Sequence, residues 1–210
     1  MAIINKPVIW YFADPMCSWC WGFSPVFTQL QKTFSKSVTF SLNLGGLRPG
    51  TKEPISNIDR DEILHHWRSV HKMTGQPFKF ENAMLEGFIY DTEPPSRAVT
   101  LMASLNPKQA FTCFDKIQTE FYQFGKNVTQ ISILKNIMLD CGVSGDEFND
   151  LFEADNIKQA TQEHFRSTYQ AGIRGFPAMV WQVGDNYDLL CSGYLPFDKL
   201  SEKIKNHLAN

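Results

Sequence analysis

Apolar residues either run together or alternate with polar residues near both ends of the chain, and these patterns predict β-strands there. Segment 7–13 is apolar on both faces, which is typical of a strand that is covered on both sides. Segment 38–44 has apolar residues at every second position. Near the C-terminus, segments 177–183 and 187–194 flank the sequence GDN, which favours a hairpin turn. We therefore predict two strands at each end of the chain.

Between these strands the apolar residues recur at helical spacing. Segment 17–34 predicts a helix that joins the first two strands, with Pro25 as the site of a kink. The middle of the chain predicts only helices, and a last helix follows the hairpin. These helices are expected over 59–73, 96–105, 107–124, 130–142, 156–172 and 197–208. The predicted order is β-α-β, then a helical region, then β-β-α, with a right-handed crossover if the first two strands pair in parallel.

The composition fits a globular protein of one domain, or of one domain that carries a large insertion. The chain has 210 residues, of which 43% are hydrophobic and 20% are charged. Its formal net charge is -2 and no basic run stands out, so neither a nucleic-acid partner nor an anionic membrane is indicated. The apolar run 8–13 is too short to cross a membrane and no small-x-small cleavage site follows it, so we expect a cytoplasmic protein.

Two cysteines, Cys17 and Cys20, lie where the first predicted strand gives way to the first helix. Positions i and i+3 are neighbours on a helix, so the two sulfurs can reach each other. We expect Cys17 in the first helical turn, where unpaired backbone N–H groups and the helix dipole favour a thiolate. This arrangement predicts a redox pair in which Cys17 attacks a substrate sulfur and Cys20 then attacks the mixed disulfide.

Two other uses of the pair fit the sequence less well. A zinc site needs about four ligands, but no second close cysteine pair exists, and His65, His66 and His71 are not placed at i and i+4. A structural disulfide within one helical turn would close a tiny loop and stabilise the protein little. We expect the other cysteines to be small core residues, namely Cys113, Cys141 and Cys191.

Two separate motifs resemble a known family. The stretch DPMCSWC, 14–20, is similar to the D-x-x-C-x-W-C of the FrnE-like branch of the DsbA family, and GIRGFPAMV, 172–180, is similar to its G-V-x-G-V-P stretch. The resemblance covers essentially the whole chain. It implies an α/β protein with a thioredoxin fold, β-α-β followed by β-β-α, and a large all-helical insertion. The implied domains are a thioredoxin-like domain, 1–50 with 172–210, and a helical insertion domain, 51–171.

The resemblance also implies how a substrate is bound. Pro177 would be a cis-proline beside the cysteine pair, a residue with neither an N–H nor a metal-binding side chain. The backbone of Phe176 would pair with an extended substrate peptide, although phenylalanine is bulkier than the valine or threonine usual there. Trp19 is expected either in an apolar rim for the substrate or in the core, whereas Trp21 is expected in the core.

Three residues near the cysteines bear on their reactivity. The position six residues before the first cysteine often carries a buried acid in this fold, but here it is Tyr11. Proton transfer at Cys20 must then use water or another group, of which Asp14 is the nearest, although Asp14 also fits a turn or cap role. Ser18 is expected either to donate a hydrogen bond to the thiolate or to be a solvated residue at the helix start.

Taken together, these features predict a thiol–disulfide oxidoreductase or isomerase that acts on protein or small-molecule disulfides. We expect no metal and no organic cofactor, with glutathione or a thioredoxin-type system as the electron partner. The resemblance leaves two alternatives. One is an adaptor that binds a protein partner without redox turnover. The other is a glutathione-dependent transferase or isomerase, like the kappa-class and hydroxychromene-carboxylate relatives of the fold, which generally lack a complete CxxC.

Overall fold

Four strands form one mixed sheet in the computed structural model, which describes residues 6–209. They are β1 (Val8–Ala13), β2 (Thr39–Leu44), β3 (Ala178–Val183) and β4 (Asn186–Ser192). Their order across the sheet is β2-β1-β3-β4, in which β1 and β2 are parallel and the other two pairs are antiparallel. The two strands predicted at each end of the sequence are confirmed, and all four belong to one sheet.

Strand β1 lies inside the sheet, which explains why both of its faces are apolar. Its residues Ile9, Tyr11 and Phe12 are all buried. Tyr11 is paired with Leu42 of β2 on one side and with Met179 of β3 on the other. Because β1 is held on both sides, its C-terminal end is a rigid point from which the cysteine-bearing segment starts.

Eight α-helices surround this sheet within the described residues. They are α1 (Ser18–Phe34), α2 (Asn57–Thr74), α3 (Glu93–Leu105), α4 (Ala110–Gln118), α5 (Ile131–Asp140), α6 (Gly145–Leu151), α7 (Asp155–Gln170) and α8 (Phe197–Ala209). Helix α1 joins β1 to β2, the six helices α2 to α7 lie between β2 and β3, and α8 follows β4. The predicted order of β-α-β, a helical region and β-β-α is therefore confirmed.

The segment predicted as one helix over 107–124 is interrupted in the structure. A 3-10 turn spans Pro107–Gln109, α4 follows it, and a π-helical turn covers Thr119–Gln123. Within that wider turn, the consecutive residues Phe121 and Tyr122 are both buried. A π-turn shifts the side-chain register by one residue, and such a shift is not visible in a simple helical period.

Helix α6 is missing from the sequence prediction because its sequence, GDEFNDL, is mostly polar. Its start is nevertheless marked by a capping box. The Ser144 hydroxyl accepts a hydrogen bond from the Glu147 N–H at 3.2 Å, and the Glu147 carboxylate accepts one from the Ser144 N–H at 3.3 Å. This S-x-x-E pattern is a helix-start signal that the sequence itself contains.

The helical region shares one continuous hydrophobic core with the sheet and α1. The ring of Phe111 in α4 lies 5.1 Å from that of Phe27 in α1, and the ring of Phe114 lies 6.3 Å from that of Tyr11. Helix α4 therefore packs directly behind β1 and α1. No helix within residues 6–209 is both long enough and apolar enough to cross a membrane.

Candidate redox site

Cys17 and Cys20 lie at the junction of β1 and α1, and the two thiols differ in exposure. Cys17 is the N-cap of α1, with an extended backbone (φ -90°, ψ 117°), so it precedes the first helical turn in which it was expected. Its N–H donates to the Asp14 carbonyl oxygen at 3.1 Å, and its own carbonyl oxygen accepts from the Trp21 N–H at 3.1 Å. Cys17 is 6% exposed and Cys20 is 0% exposed, and both are free thiols. Cys17 is therefore the outer sulfur and Cys20 the inner one.

The loop before β3 brings Phe176 and Pro177 to the outer sulfur. The Cys17 Sγ donates to the Phe176 carbonyl oxygen at 3.5 Å, although the two residues are 159 positions apart in the sequence. The Phe176–Pro177 peptide bond is cis, and the Pro177 carbonyl oxygen accepts from the Gly193 N–H at 2.7 Å. Within residues 6–209, the Phe176 N–H donates a hydrogen bond to no acceptor. Phe176 thus presents both a carbonyl oxygen and a free N–H beside Cys17.

Gly45, in the loop that follows β2, makes room for the bulky side chain of Phe176. A Cβ atom at Gly45 would lie only 2.3 Å from Cζ of the Phe176 ring. A residue with any side chain at position 45 would push that ring aside, which explains how phenylalanine fits where smaller residues are usual. The pair Gly45-Gly46 was visible in the sequence as the end of a strand, but nothing local linked it to Phe176.

Tyr11 contacts the inner sulfur. It is buried, its ring stacks on Phe27 with a centroid separation of 4.2 Å, and its hydroxyl lies close enough to Cys20 for each to affect the other's proton. Burial and the nearby Cys20 and Cys17 sulfurs hold the pKa of Tyr11 well above its ordinary value. The hydroxyl therefore keeps its proton and acts as a donor toward Cys20.

Cys20 itself is held in the thiol form. Burial is the largest cause that raises the pKa of Cys20 well above its ordinary value, followed by the neighbouring Cys17 thiol. A hydrogen bond from the Asp14 backbone acts in the opposite direction, and the Asp14 carboxylate raises the pKa further. Cys20 must therefore lose a proton before it can attack another sulfur.

Asp14 holds together the loops around the cysteines. Its side chain is fully buried and accepts hydrogen bonds from the Met16 N–H at 2.8 Å, the Leu47 N–H at 2.8 Å and the Thr92 hydroxyl. Burial raises the pKa of Asp14 to about 6, and these hydrogen bonds only partly oppose it. The turn role expected for Asp14 fits these contacts, and a role in proton transfer at Cys20 stays a prediction.

Replacing Asp14 by asparagine should change how stability depends on pH. The pKa of Asp14 rises from 3.8 to about 6 on folding, so ionising it disfavours the folded state. The wild type should lose about 3 kcal/mol between roughly pH 4 and pH 6 from this group, and keep that deficit at higher pH. The Asp14→Asn variant loses one acceptor but cannot ionise. Urea unfolding of both proteins from pH 4 to pH 7.5 should show the stability of the wild type, relative to that of the variant, falling by about 3 kcal/mol as pH rises to 6. Parallel curves would rule out this raised pKa.

The residues between and after the cysteines differ in environment. Trp19 is half-buried, and its ring lies 6.4 Å from that of Tyr194. Trp21 is buried and its Nε1 donates to the Pro77 carbonyl oxygen at 2.9 Å, so its expected place in the core is confirmed. Ser18 is half-buried, and its hydroxyl forms no hydrogen bond within the described part of the chain. Its contact with a Cys17 thiolate stays a prediction.

Sequence reasoning missed the residues that the helical region adds to the site. The Tyr90 hydroxyl donates to the Met16 carbonyl oxygen, next to Cys17. Thr92 donates to Asp14 and also accepts from the Arg48 N–H at 3.1 Å. These residues precede α3 in an irregular segment, where neither helical spacing nor alternation marks a position as buried.

The other cysteines and the histidines do not extend this site. Cys113 and Cys191 are buried as expected, whereas Cys141, at the C-cap of α5, is only partly buried and packs against the edge of the core. Across residues 6–209, no group of three or more histidine, cysteine, aspartate or glutamate side chains is placed to hold a metal ion.

The sequence profile of the DSBA-like thioredoxin domain matches residues 8–205. The chain belongs to this family. The family match identifies the mixed sheet with its helical insertion as the thioredoxin fold of DsbA-like proteins, and it makes Cys17–Cys20 a CxxC pair of that family. DsbA-like oxidoreductases need no cofactor.

Several known proteins are similar to the chain over most of its length. A protein from Nitrosomonas europaea, proposed to be a protein disulfide isomerase, has 43% sequence identity and a TM-score of 0.93, with 98% of both chains covered. The cytosolic disulfide reductase DsbM from Pseudomonas aeruginosa has 21% identity and a TM-score of 0.79, with 96% of this chain and 98% of DsbM covered. The latter similarity supports the fold.

A curated relative has a different kind of function. The ClpXP adapter protein SpxH from Halalkalibacterium halodurans is 24% identical over 203 residues, which covers 92% of this chain. The chain spans 65% of the length of that relative.

Proposed function

We propose that this protein is a thiol–disulfide oxidoreductase in which Cys17 is the attacking sulfur and Cys20 the resolving sulfur. The observation that carries the proposal is the hydrogen bond between the outer Cys17 thiol and the Phe176 carbonyl oxygen, with the fully buried Cys20 thiol one helical turn behind it. One sulfur can thus reach a substrate, while the other can reach only its partner.

The proposed cycle transfers two electrons through these sulfurs. The Cys17 thiolate attacks a substrate disulfide, forms a mixed disulfide and releases one substrate thiolate. Cys20 then loses its proton and attacks the Cys17 sulfur, which releases the second substrate thiol and leaves a Cys17–Cys20 disulfide. The substrate has been reduced and the pair oxidised. If a substrate thiol resolves the mixed disulfide instead, the substrate disulfides are rearranged with no net redox change.

Phe176 is the proposed docking point for an extended substrate segment. Its free N–H and its carbonyl oxygen can form the two hydrogen bonds of an added strand. The half-buried Trp19 and the 42% exposed Leu47, whose N–H binds Asp14, give the surroundings an apolar character. We therefore favour protein disulfides flanked by apolar residues, docked beside Pro177.

The proposed division into domains assigns different tasks to the two parts. The thioredoxin-like domain, 1–50 with 172–210, supplies both cysteines and the Phe176 loop. The helical insertion, 51–171, supplies Tyr90 and Thr92, which fix the loop before Cys17, and helix α4, which packs behind Tyr11. On this division, the insertion shapes the site without contributing a reacting atom.

Glutathione is the proposed electron donor, and the cytoplasm the proposed location. A structure of DsbM from Pseudomonas aeruginosa, described as a cytosolic disulfide reductase, contains glutathione. In the present chain the exposed Arg48 follows Leu47 and lies 5.6 Å from the ring of Tyr90, whose hydroxyl donates to the Met16 carbonyl oxygen next to Cys17. A glutathione carboxylate is a suitable partner for that charge.

Covalent trapping on a Cys20→Ser variant tests the proposal. Without the resolving thiol, a mixed disulfide between the variant and an insulin chain should accumulate. A peptide digest without reducing agent should locate this adduct on Cys17. A matched Cys191→Ser variant, which lacks another buried thiol, should release its substrate like the wild type. Failure to capture insulin at Cys17 would remove the basis for this function.

The similarity to SpxH favours an adaptor as the second candidate function. An adaptor would use the Phe176 loop and the apolar surroundings to hold a protein partner, with no need for electron transfer. Such a protein would keep its partner after both Cys17 and Cys20 are replaced by serine, because strand addition and apolar contacts involve no thiol chemistry.

A further inference from the structure

Two other thiols, Cys113 in α4 and Cys141 at the end of α5, lie together although they are distant in the sequence. Each thiol has the largest effect on the pKa of the other, so the two side chains are near neighbours. The Cys113 Sγ also lies 3.7 Å from the Sδ of Met138, which is one helical turn before Cys141. The packing of α4 against α5 therefore creates a second close pair of cysteines in a chain whose sequence contains only one.

This second pair has an outer and an inner sulfur, as the first pair does. Cys113 is 0% exposed, whereas Cys141 is half-exposed at the C-cap of α5. Lys116, one turn after Cys113, donates from Nζ to the Asp140 carbonyl oxygen at 2.9 Å, which places its positive charge beside Cys141.

The electrostatics of the pair agree with this geometry. The neighbouring Cys141 thiol and burial raise the pKa of Cys113. The Cys113 thiol lowers the pKa of Cys141, and the Lys116 ammonium adds to this effect against the opposing effect of burial. A thiolate is therefore easier to form on the accessible sulfur than on the buried one.

We propose that Cys113 and Cys141 are a second dithiol site, which a low-molecular-weight disulfide such as glutathione disulfide converts reversibly into an intramolecular disulfide. The Cys141 thiolate attacks glutathione disulfide, forms a mixed disulfide and releases one glutathione thiolate. Cys113 then gives up its proton and attacks the Cys141 sulfur, which releases the second glutathione. Two protein thiols are oxidised to one disulfide, and one glutathione disulfide is reduced to two glutathione molecules.

Such a disulfide would brace the helix behind the active site. It would tie α4 to the end of α5 and close a loop of about 30 residues, which restricts the unfolded chain. Phe114, the residue after Cys113, packs against Tyr11, which contacts Cys20. The oxidised protein should therefore show a melting temperature several degrees above that of the same protein with this pair reduced.

Peptide mapping after oxidation tests the proposal. The reduced protein is treated with glutathione disulfide, quenched with N-ethylmaleimide and digested without reduction. We expect a peptide linked through Cys113 and Cys141 in the wild type. A Cys113→Ala variant should accumulate a glutathione adduct on Cys141. In a Cys141→Ala variant, the buried Cys113 should react with neither glutathione disulfide nor N-ethylmaleimide before digestion. Cys191, which is buried and has its pKa raised to about 11, is the internal control and should stay reduced.

The Cys17–Cys20 disulfide is measured in the same digest and serves as the positive control for oxidation. Absence of the 113–141 linked peptide in a sample where that disulfide has formed would overturn the proposal. The same mapping on a Cys17→Ser, Cys20→Ser variant makes the result independent of the proposed catalytic cycle. A linked peptide in that variant supports the second site even if the first pair proves to have no turnover.

Discussion

Replacing Cys17 by serine should abolish disulfide reduction, with a loss of at least about a thousandfold in turnover. Cys17 is the only one of the two sulfurs at the surface, and it contacts the Phe176 carbonyl oxygen beside the proposed docking point. A serine hydroxyl at the same position does not ionise near neutral pH, and it cannot form the mixed disulfide through which exchange proceeds. Cys20 cannot substitute for it, because that sulfur is fully buried and its pKa is raised.

The measurement is glutathione-dependent reduction of insulin, compared between the wild type, the Cys17→Ser variant and a Cys191→Ser control. Cys191 is also buried, but it lies in β4, which is separated from β1 by β3, and it is not part of the CxxC pair, so its loss should leave turnover within about twofold. Equal melting temperatures would show that all three proteins are folded. Turnover by Cys17→Ser at the wild-type rate would refute the assignment of Cys17 as the nucleophile.

The same variant separates the two candidate functions. An oxidoreductase loses its effect in the cell when Cys17 is replaced, whereas an adaptor keeps its partner and its effect. The contacts that organise the surrounding loops belong mainly to Asp14, which binds Met16 and Leu47 through its carboxylate. Because those contacts do not involve the Cys17 sulfur, the variant changes only the contact with the Phe176 carbonyl oxygen, and the rest of the docking surface should be preserved.

The strands and the cysteine pair could be predicted from the sequence because they depend on neighbouring residues. The apolar character of β1 on both faces follows from its place inside the sheet, and the spacing of Cys17 and Cys20 is a local property of a helix start. The contact between Cys17 and Phe176 is not local. It could be expected only from the resemblance of two motifs to one family. The same resemblance led us to expect the cis peptide bond before Pro177.

What could not be predicted depends on how separate elements pack. No periodicity links Gly45 to Phe176, yet the missing side chain of one makes room for the ring of the other. Cys113 and Cys141 each look like a single core cysteine in the sequence, and only the packing of α4 on α5 makes them a pair. Helix α6 is the exception, since its capping box was present in the sequence and was outweighed by the polar residues that follow.

Tyr11 also shows this limit. The sequence showed that an expected acid was absent, but the partner of the tyrosine hydroxyl depends on the way α1 crosses β1. In the structure that hydroxyl lies beside Cys20, whose sulfur helps to raise the pKa of Tyr11. During the resolving step Cys17 is bonded to the substrate and has no proton to donate. Tyr11 and the Asp14 backbone N–H can then stabilise the negative charge that forms on Cys20.

Replacing Tyr11 by phenylalanine should therefore slow the resolving step and leave the first attack nearly unchanged. A hydrogen bond to a charged group contributes about 1.5–3 kcal/mol, so release of substrate from a preformed mixed disulfide should slow roughly 10- to 100-fold. Phenylalanine keeps the ring that stacks on Phe27, which limits the effect on folding. Single-turnover experiments that follow formation and decay of the mixed disulfide separate the two steps.

A Tyr194→Phe variant is the matched control, because it also removes a tyrosine hydroxyl near the site. The Tyr194 ring lies beside Trp19 and Phe23, and no contact of its hydroxyl with either cysteine is found within residues 6–209. Both steps should keep their wild-type rates in this control. If Tyr11→Phe slows the first attack as much as the resolving step, the hydroxyl acts by holding the whole site in place. If neither step changes, the proton and charge on Cys20 are handled by Asp14 or water instead, and Tyr11 is only a packing residue.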